Sequence, residues 1–375
     1  MEALTNWLGR LQGASPDSLR ACVTPTLVAG LQGIEIANSI VALEPKGLIP
    51  SRLGDCAPLF MSFLHYCDIA DCVNNLQTQE DLRADLGSLL TFVADRRILL
   101  PNVFGMSLPG QRSVTFMGYG AAVDGRLGGP FPSGIESSFR DSLSRVVGLP
   151  ENLRLIIGTA LRLHHASVEL FEYDLRAAYL LLVAGLEVLS REFGEPPGNW
   201  NDWEEATTWE NVFSIAELTN DQSELLRSHL MSNRQLRLRA TFREYASCRI
   251  PDSFWSESWE HWVYGYNHPS GEWLPPHLSF TKTVEEILPH DRRLLSRMLG
   301  RTYDVRSGIV HRGALLKFAD NALPTRIGAD PDSPLPYPVL RSILRYLIKE
   351  ELETHAKYTT LPDIKFIPKT AQDAT

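Results

Sequence analysis

Arg306, Ser307 and His311 stand close together in the run Tyr303-Asp-Val-Arg-Ser-Gly-Ile-Val-His-Arg-Gly313, and their types suit chemistry on a phosphate. An arginine presents a permanently charged planar fork to two phosphoryl oxygens, and a histidine titrates near neutral pH. Together they can bind a phosphate and move a proton without a metal. Ser307 adds a hydroxyl, although serine near a helix start also serves as a cap. Plainer readings exist for the other two: Arg306 as a surface ion-pair partner, His311 as a satisfied histidine at a helix end.

These residues need a scaffold that presents them together. On an ideal helix, positions five apart diverge by about 140°, so Arg306 and His311 do not share a face. Ser307 and His311, four apart, do share one. Either the arginine starts the helix and reaches around it, or two copies of the motif meet across a two-fold axis. Upstream, Ala178-Tyr-Leu-Leu-Leu-Val-Ala-Gly-Leu-Glu-Val-Leu189 is an apolar run that holds one carboxylate, Glu187. A carboxylate in such surroundings is costly unless paired, and a basic residue of the Arg306 segment is a plausible partner. Glu187 then either holds two helices in register or takes a direct part in catalysis.

The two segments, in this order, resemble the HEPN superfamily. An arginine followed by a polar residue, with histidine five positions after the arginine, is similar to the signature of its metal-independent ribonucleases; Tyr303 and Gly313 frame it. The run ending in Leu186-Glu187 resembles the first helix of the Apea-like HEPN branch. The resemblance covers about residues 150 to 357 and implies a helical bundle there, a site built at a homodimer interface, and no cofactor. It implies an endoribonuclease in which His311 moves the proton of the RNA 2′-hydroxyl and Arg306 steadies the charged phosphoryl group, with Ser307, Glu187 and Tyr303 completing the catalytic set. Such enzymes leave a 2′,3′-cyclic phosphate and a 5′-hydroxyl, and DNA is inert to them. A toxin or antiviral-defence role through abortive infection, with a trigger or antitoxin partner, is a further implication. The alternative is an inactive HEPN scaffold that dimerises or binds RNA or a partner.

A net charge of −9 over 375 residues argues against a nonspecific nucleic-acid binder, so any RNA contact must come from local basic patches. The densest holds Arg227, Arg234, Arg237, Arg239, Arg243 and Arg249, with Phe242 and Tyr245 interleaved. Arg234, Arg237, Arg239 and Arg243, with Arg312 beside the motif histidine, are the candidate RNA-binding residues, and the rings can stack on bases. The opposing reading is a solvated helix face paired with acids such as Glu224 and Glu244. Five cysteines, odd in number and mostly in apolar sequence, argue against a disulfide framework and for the cytoplasm. Cys67 and Cys72 have no second pair at zinc-like spacing, and Asp330-Pro-Asp332 is too split by proline to be a metal cluster. With no charged leader and no apolar run long enough to span a bilayer, neither secretion nor membrane insertion is expected.

The length suggests two domains. The expectation is a mainly α chain: an α+β amino-terminal domain at 1–146 acting as sensor or partner-binding module, a helical domain at 147–357, and a polar tail at 358–375. Within the first, apolar spacing at 27–43 and 59–72 reads as short helices broken at Pro45-Lys-Gly47 and Pro50. Thr91-Phe-Val93, Ile98-Leu-Leu100 and Ser113-Val-Thr-Phe-Met117 read as strands. Farther on, helices are expected at 153–163, 170–193, 210–218, 223–249, 283–299, 303–318 and 339–355, with an irregular aromatic-rich segment at 251–276.

Overall fold

Apolar residues recurring every three or four positions dominate this chain, and the fold follows them: the described residues are mostly helical. The computed structural model describes residues 1–14, 19–28, 36–37, 41–48, 59–68, 76–95, 98–99, 134–171, 174–263, 266–267, 270, 273–274, 277–312 and 333–361. No described helix is long and apolar enough to cross a membrane. Two compact units form, one from Met1–Tyr173, Glu260–Thr281 and Glu351–Thr375, the other from Asp174–Trp259 and Lys282–Glu350. The division after Tyr173 differs from the expected boundary at 146, so the helix at 151–170 goes with the first unit.

In the first unit, α1 (Glu2–Gly13) buries Leu4, Trp7, Leu8 and Leu11. It packs on α2 (Leu76–Ala94), which also meets α3 (Ile135–Gly148) and α4 (Glu151–Leu170). Asp85 on α2 is fully buried and accepts Arg162 Nε at 2.9 Å and Nη2 at 2.7 Å, the Leu4 N–H at 3.3 Å and the Met1 amine at 2.7 Å. An antiparallel sheet of β1 (Leu19–Val28), β2 (Ile36–Ala37), β3 (Val41–Leu48), β4 (Leu59–Asp68) and β5 (Ile98–Leu99) runs in the order β2-β3-β4-β1-β5. Four further strands, β6 (Ser258–Val263), β7 (Tyr266–Asn267), β8 (Trp273–Leu274) and β9 (His277–Thr283), pair as β6 with β9 and β7 with β8.

Several expectations for this unit are corrected. Where residues of the helices expected within 27–43 and 59–72 are described, they form strands instead, at 27–28, 36–37, 41–43 and 59–68, and Val28, Ile36, Val41, Phe60, Phe63 and Tyr66 are residue types that favour a pleated backbone. Pro45 and Gly47 do not end a helix; they flank a register shift where β3 pairs with β4, the bulge that proline and glycine tolerate. Thr91-Phe-Val93 lies on α2 rather than in a strand, since tertiary packing of Leu86, Leu89 and Leu90 overrides local β preference. Ile98 and Leu99 do form β5 as expected, whereas Ser113 to Met117 lie outside the described residues. The aromatic segment holds the Asp252–Ser256 3₁₀ turn and strands rather than being irregular throughout.

His165 on α4 supplies a pH dependence. Its Nδ1 lies 2.8 Å from Thr91 Oγ1 and its Nε2 3.3 Å from Glu169 Oε1, an arrangement a neutral ring satisfies by accepting at Nδ1 and donating at Nε2. Burial pushes its pKa down to about 4. The unfolded imidazole takes a proton from about pH 6.5 downward while the folded one resists until about 4, so the unfolded state binds more protons and stability falls as pH drops through that window. Denaturant unfolding at pH 7 and pH 5 should show a smaller loss for His165→Gln than for the parent; an equal loss contradicts this.

The second unit is a core of four packed helices. From α5 (Leu175–Phe193) come Tyr179, Leu182, Val183, Leu186 and Leu189. After α6 (Ala206–Ile215) and α7 (Asn220–Ser232), α8 (Leu238–Arg249) adds Phe242, Tyr245 and Ala246. A single turn, α9 (Val284–Ile287), leads to α10 (Arg292–Arg312), whose Leu295, Met298 and Leu299 are buried. Finally α11 (Tyr337–His355) brings Leu340, Ile343, Leu344, Leu347 and Ile348. All these side chains are inaccessible or nearly so, and truncating any of the leucines to alanine costs about 2–5 kcal/mol.

The ends of these helices are set by local chemistry. Asp174 caps α5 by accepting the N–H groups of Arg176 and Ala177 at 3.0 Å each. Gly194 ends it where a Cβ would come within 2.8 Å of Thr241 Cγ2, so no larger residue fits there unshifted. Asp291 opens α10 by accepting the N–H of Arg293 at 2.8 Å. From there α10 runs unbroken through Gly300 to Arg312, which corrects the expected break between helices at 283–299 and 303–318: the motif continues one long helix. Likewise the helix expected at 223–249 divides at Asn233 into α7, a 3₁₀ turn at Arg234–Arg237, and α8.

Candidate functional site

Glu187 sits at a core-facing position of α5 with 8% of its side chain exposed. Arg191, one turn on, donates Nη2 to Glu187 Oε1 at 2.6 Å, and Arg306 on α10 brings its Nη2 to 3.5 Å from Oε2. One carboxylate thus faces two guanidinium groups: the expected partner from the Arg306 segment at 3.5 Å, and a nearer one, Arg191, not named from the sequence. Arg306 remains 30% exposed, so the charge it carries can still be reached from outside.

Three residues before Arg306, Tyr303 lays its ring against that of Phe242, with centroids 5.5 Å apart and planes at 57°. Burial, and next the negative charge of Glu187, raise the Tyr303 phenol above its ordinary range, so it stays protonated at neutral pH and can act as a hydrogen-bond donor. Ser307 is half-buried on the next position of α10. His311 lies on the same helix, one turn beyond Ser307, and Arg312 is the last residue of that helix among the described residues; the side chains of both are outside the described residues. Four of the five candidate catalytic residues therefore have described side chains; Glu187, Arg306 and Tyr303 are drawn together electrostatically, with Ser307 next in line on α10.

The candidate RNA-binding arginines have other placements. Arg234 is exposed. Arg237 is buried, donating Nη1 to the Pro197 carbonyl at 2.6 Å and Nη2 to the Met231 carbonyl, so its donors point into the fold. Arg239 forks onto Asp304 with Nε at 2.8 Å and Nη2 at 3.0 Å, and both Arg239 and Arg243 pair with Glu204. Arg227 grips Glu210 through Nε and Nη2 and lies over the rings of Trp200 and Phe213. Phe242 and Tyr245 are buried, which removes them as stacking surfaces for bases. The sequence pointed to Glu224 and Glu244 as partners of this stretch; Arg227 does meet Glu224 at 3.0 Å, but Glu204, Glu210 and Asp304 were missed. Only packing of distant segments brings them in, and no local spacing announces it.

Comparison with protein-family models, curated proteins and solved structures returns no match.

The Glu187 carboxylate offsets two like charges that would otherwise face each other at the junction of α5 and α10. Glu187→Ala should therefore lower stability by about 1 kcal/mol, since it removes the carboxylate's hydrogen bond while the freed guanidinium groups, 49% and 30% exposed, can turn to water. Chemical denaturation reads this directly, and an unchanged midpoint would show that the pair does not hold the two helices.

Proposed function

We infer that this protein is a metal-independent endoribonuclease of the HEPN kind, cutting RNA by attack of the 2′-hydroxyl on the adjacent phosphorus. The observation that carries the reading is the approach of Arg306, on the helix that also bears His311, to the buried Glu187. Arg306 is held by a carboxylate from a neighbouring helix yet remains partly exposed, the situation of a cation kept ready for an anionic group. When charge builds on the phosphoryl oxygens, its fork can make two hydrogen bonds to them. His311 takes the proton from the 2′-hydroxyl and returns one to the leaving 5′-oxygen. The Tyr303 phenol and Ser307 hydroxyl, one turn apart on α10, offer further donors to the same group.

Because Arg306 and His311 diverge around α10, the complete site is proposed to form where two copies of the helical unit meet, each bringing a motif helix. A cytoplasmic toxin or antiviral effector, restrained by a trigger or antitoxin and with the amino-terminal sheet and helices serving as a sensor or partner-binding domain, fits this reading. The other reading, an inactive scaffold, draws support from Arg237, a candidate RNA contact whose donors are instead spent on the Pro197 and Met231 carbonyls.

The test is purified protein with labelled RNA, and with DNA of the same sequence, in EDTA. Cutting of the RNA alone is expected, since DNA lacks the nucleophile. Cutting of both, or a requirement for added divalent metal, sinks the mechanism; RNA bound but left intact favours the scaffold.

A further inference from the structure

Arg239 and Arg243 stand one turn apart on α8 and direct their guanidinium groups at α10. Gly300 makes this approach feasible: a Cβ at that position would lie 3.0 Å from Arg239 Nη2 and 3.1 Å from Arg243 Cδ. Asp304 takes two donors of Arg239, and the Ser296 carbonyl accepts Arg243 Nε at 3.1 Å. Each arginine then has its Nη1 aimed at Glu204, one at Oε1 and the other at Oε2. A single carboxylate bridges two guanidinium groups.

Glu204 belongs to neither helix. It lies in the turn between the Trp200–Asp202 3₁₀ turn and α6, next to the buried Trp203. Asp304 faces Arg239 and, at 3.9 Å, Arg301 as well, so with Arg243 the cluster carries a surplus of positive charge that Glu204 partly offsets. A phosphodiester carries the same single charge and likewise offers two oxygens, to which arginine forks are well matched. The side chains of Arg239 and Arg243 are 27% and 24% exposed, so the pair is reachable beside its present partner. Partly exposed ion pairs contribute little to stability, so a polyanion can displace one.

The position along α10 gives this pair a use. His311 follows Asp304 by seven residues, which on a helix is about 10 Å farther along and within about 20° of the same side. We propose that Arg239 and Arg243 form a seat for a backbone phosphate of single-stranded RNA flanking the cleaved bond, and that Glu204 masks this seat until the strand arrives. The choice of RNA as ligand rests on the ribonuclease reading; the masked anion seat does not.

Two measurements separate these parts. Calorimetric titration with tripolyphosphate, in EDTA at low salt, should show Glu204→Gln binding about ten-fold more tightly than wild type, a gain lost when Arg239→Ala and Arg243→Ala are added. Glu204→Ala should shift in the same direction, which guards against an effect peculiar to glutamine, and thermal unfolding confirms that each variant is folded. In a His311→Ala background, Glu204→Gln should also bind labelled single-stranded RNA about ten-fold more tightly, with the slope of log affinity against log salt steeper by about 0.7, one phosphate contact. Equal tripolyphosphate affinity in wild type and both Glu204 variants overturns the masked seat even if the wild type cuts RNA. Tighter tripolyphosphate binding with no RNA binding by any variant overturns RNA as the ligand, and the ribonuclease reading with it.

Discussion

His311→Ala is expected to reduce RNA cutting by about 10²–10⁴-fold, the usual worth of a positioned general acid or base. The helix that carries it is anchored by Leu295, Met298 and Leu299, so its removal should leave the fold and its unfolding midpoint in place. Single-turnover cleavage in EDTA, alongside circular dichroism, checks both halves. Full activity in the folded variant would remove His311 from the mechanism. Partial rescue by added imidazole would point to the missing proton carrier rather than to lost packing.

Arg306→Ala is expected to slow cutting by about 10²–10³-fold, the effect of removing one charge-stabilising donor from a transition state. Arg306→Lys should recover little of it, because an ammonium is a point charge and cannot give two parallel hydrogen bonds to a phosphoryl group. Stability is a separate matter: Glu187 keeps Arg191 at 2.6 Å, so the carboxylate is not orphaned when Arg306 is lost, and the unfolding midpoint should move less than in Glu187→Ala. A variant that cuts at the wild-type rate but unfolds readily would make Arg306 a purely structural residue.

The helices were legible in the sequence where burial is one-sided. The stripe of Leu340, Ile343, Leu344, Leu347 and Ile348 marks α11, and the apolar run before Gly194 marks α5, because these residues face a shared core. Glu187 was legible for the opposite reason: a carboxylate amid leucines demands a cation, and α10 carries one. The first strands were not legible, since Leu27 and the residues after it fit a helical spacing as well as a strand, and only pairing with distant partners, such as Leu27 opposite Phe60, decides between them. Arg237 illustrates the limit for surfaces. It sits among arginines that look solvated, yet the turn at Arg234–Arg237 points it inward at two carbonyls, an arrangement set by where α8 packs rather than by its neighbours in sequence.

The central claim is that the nucleophile is the substrate's own 2′-hydroxyl, and the chemistry of the cut ends tests it most directly. Mass spectrometry of the products from a short defined RNA, cut by purified wild-type protein in EDTA, should find a 2′,3′-cyclic phosphate on the upstream fragment and a 5′-hydroxyl on the downstream one. A 3′-hydroxyl paired with a 5′-phosphate, the outcome of attack by water on the opposite side of the phosphate, would contradict the account.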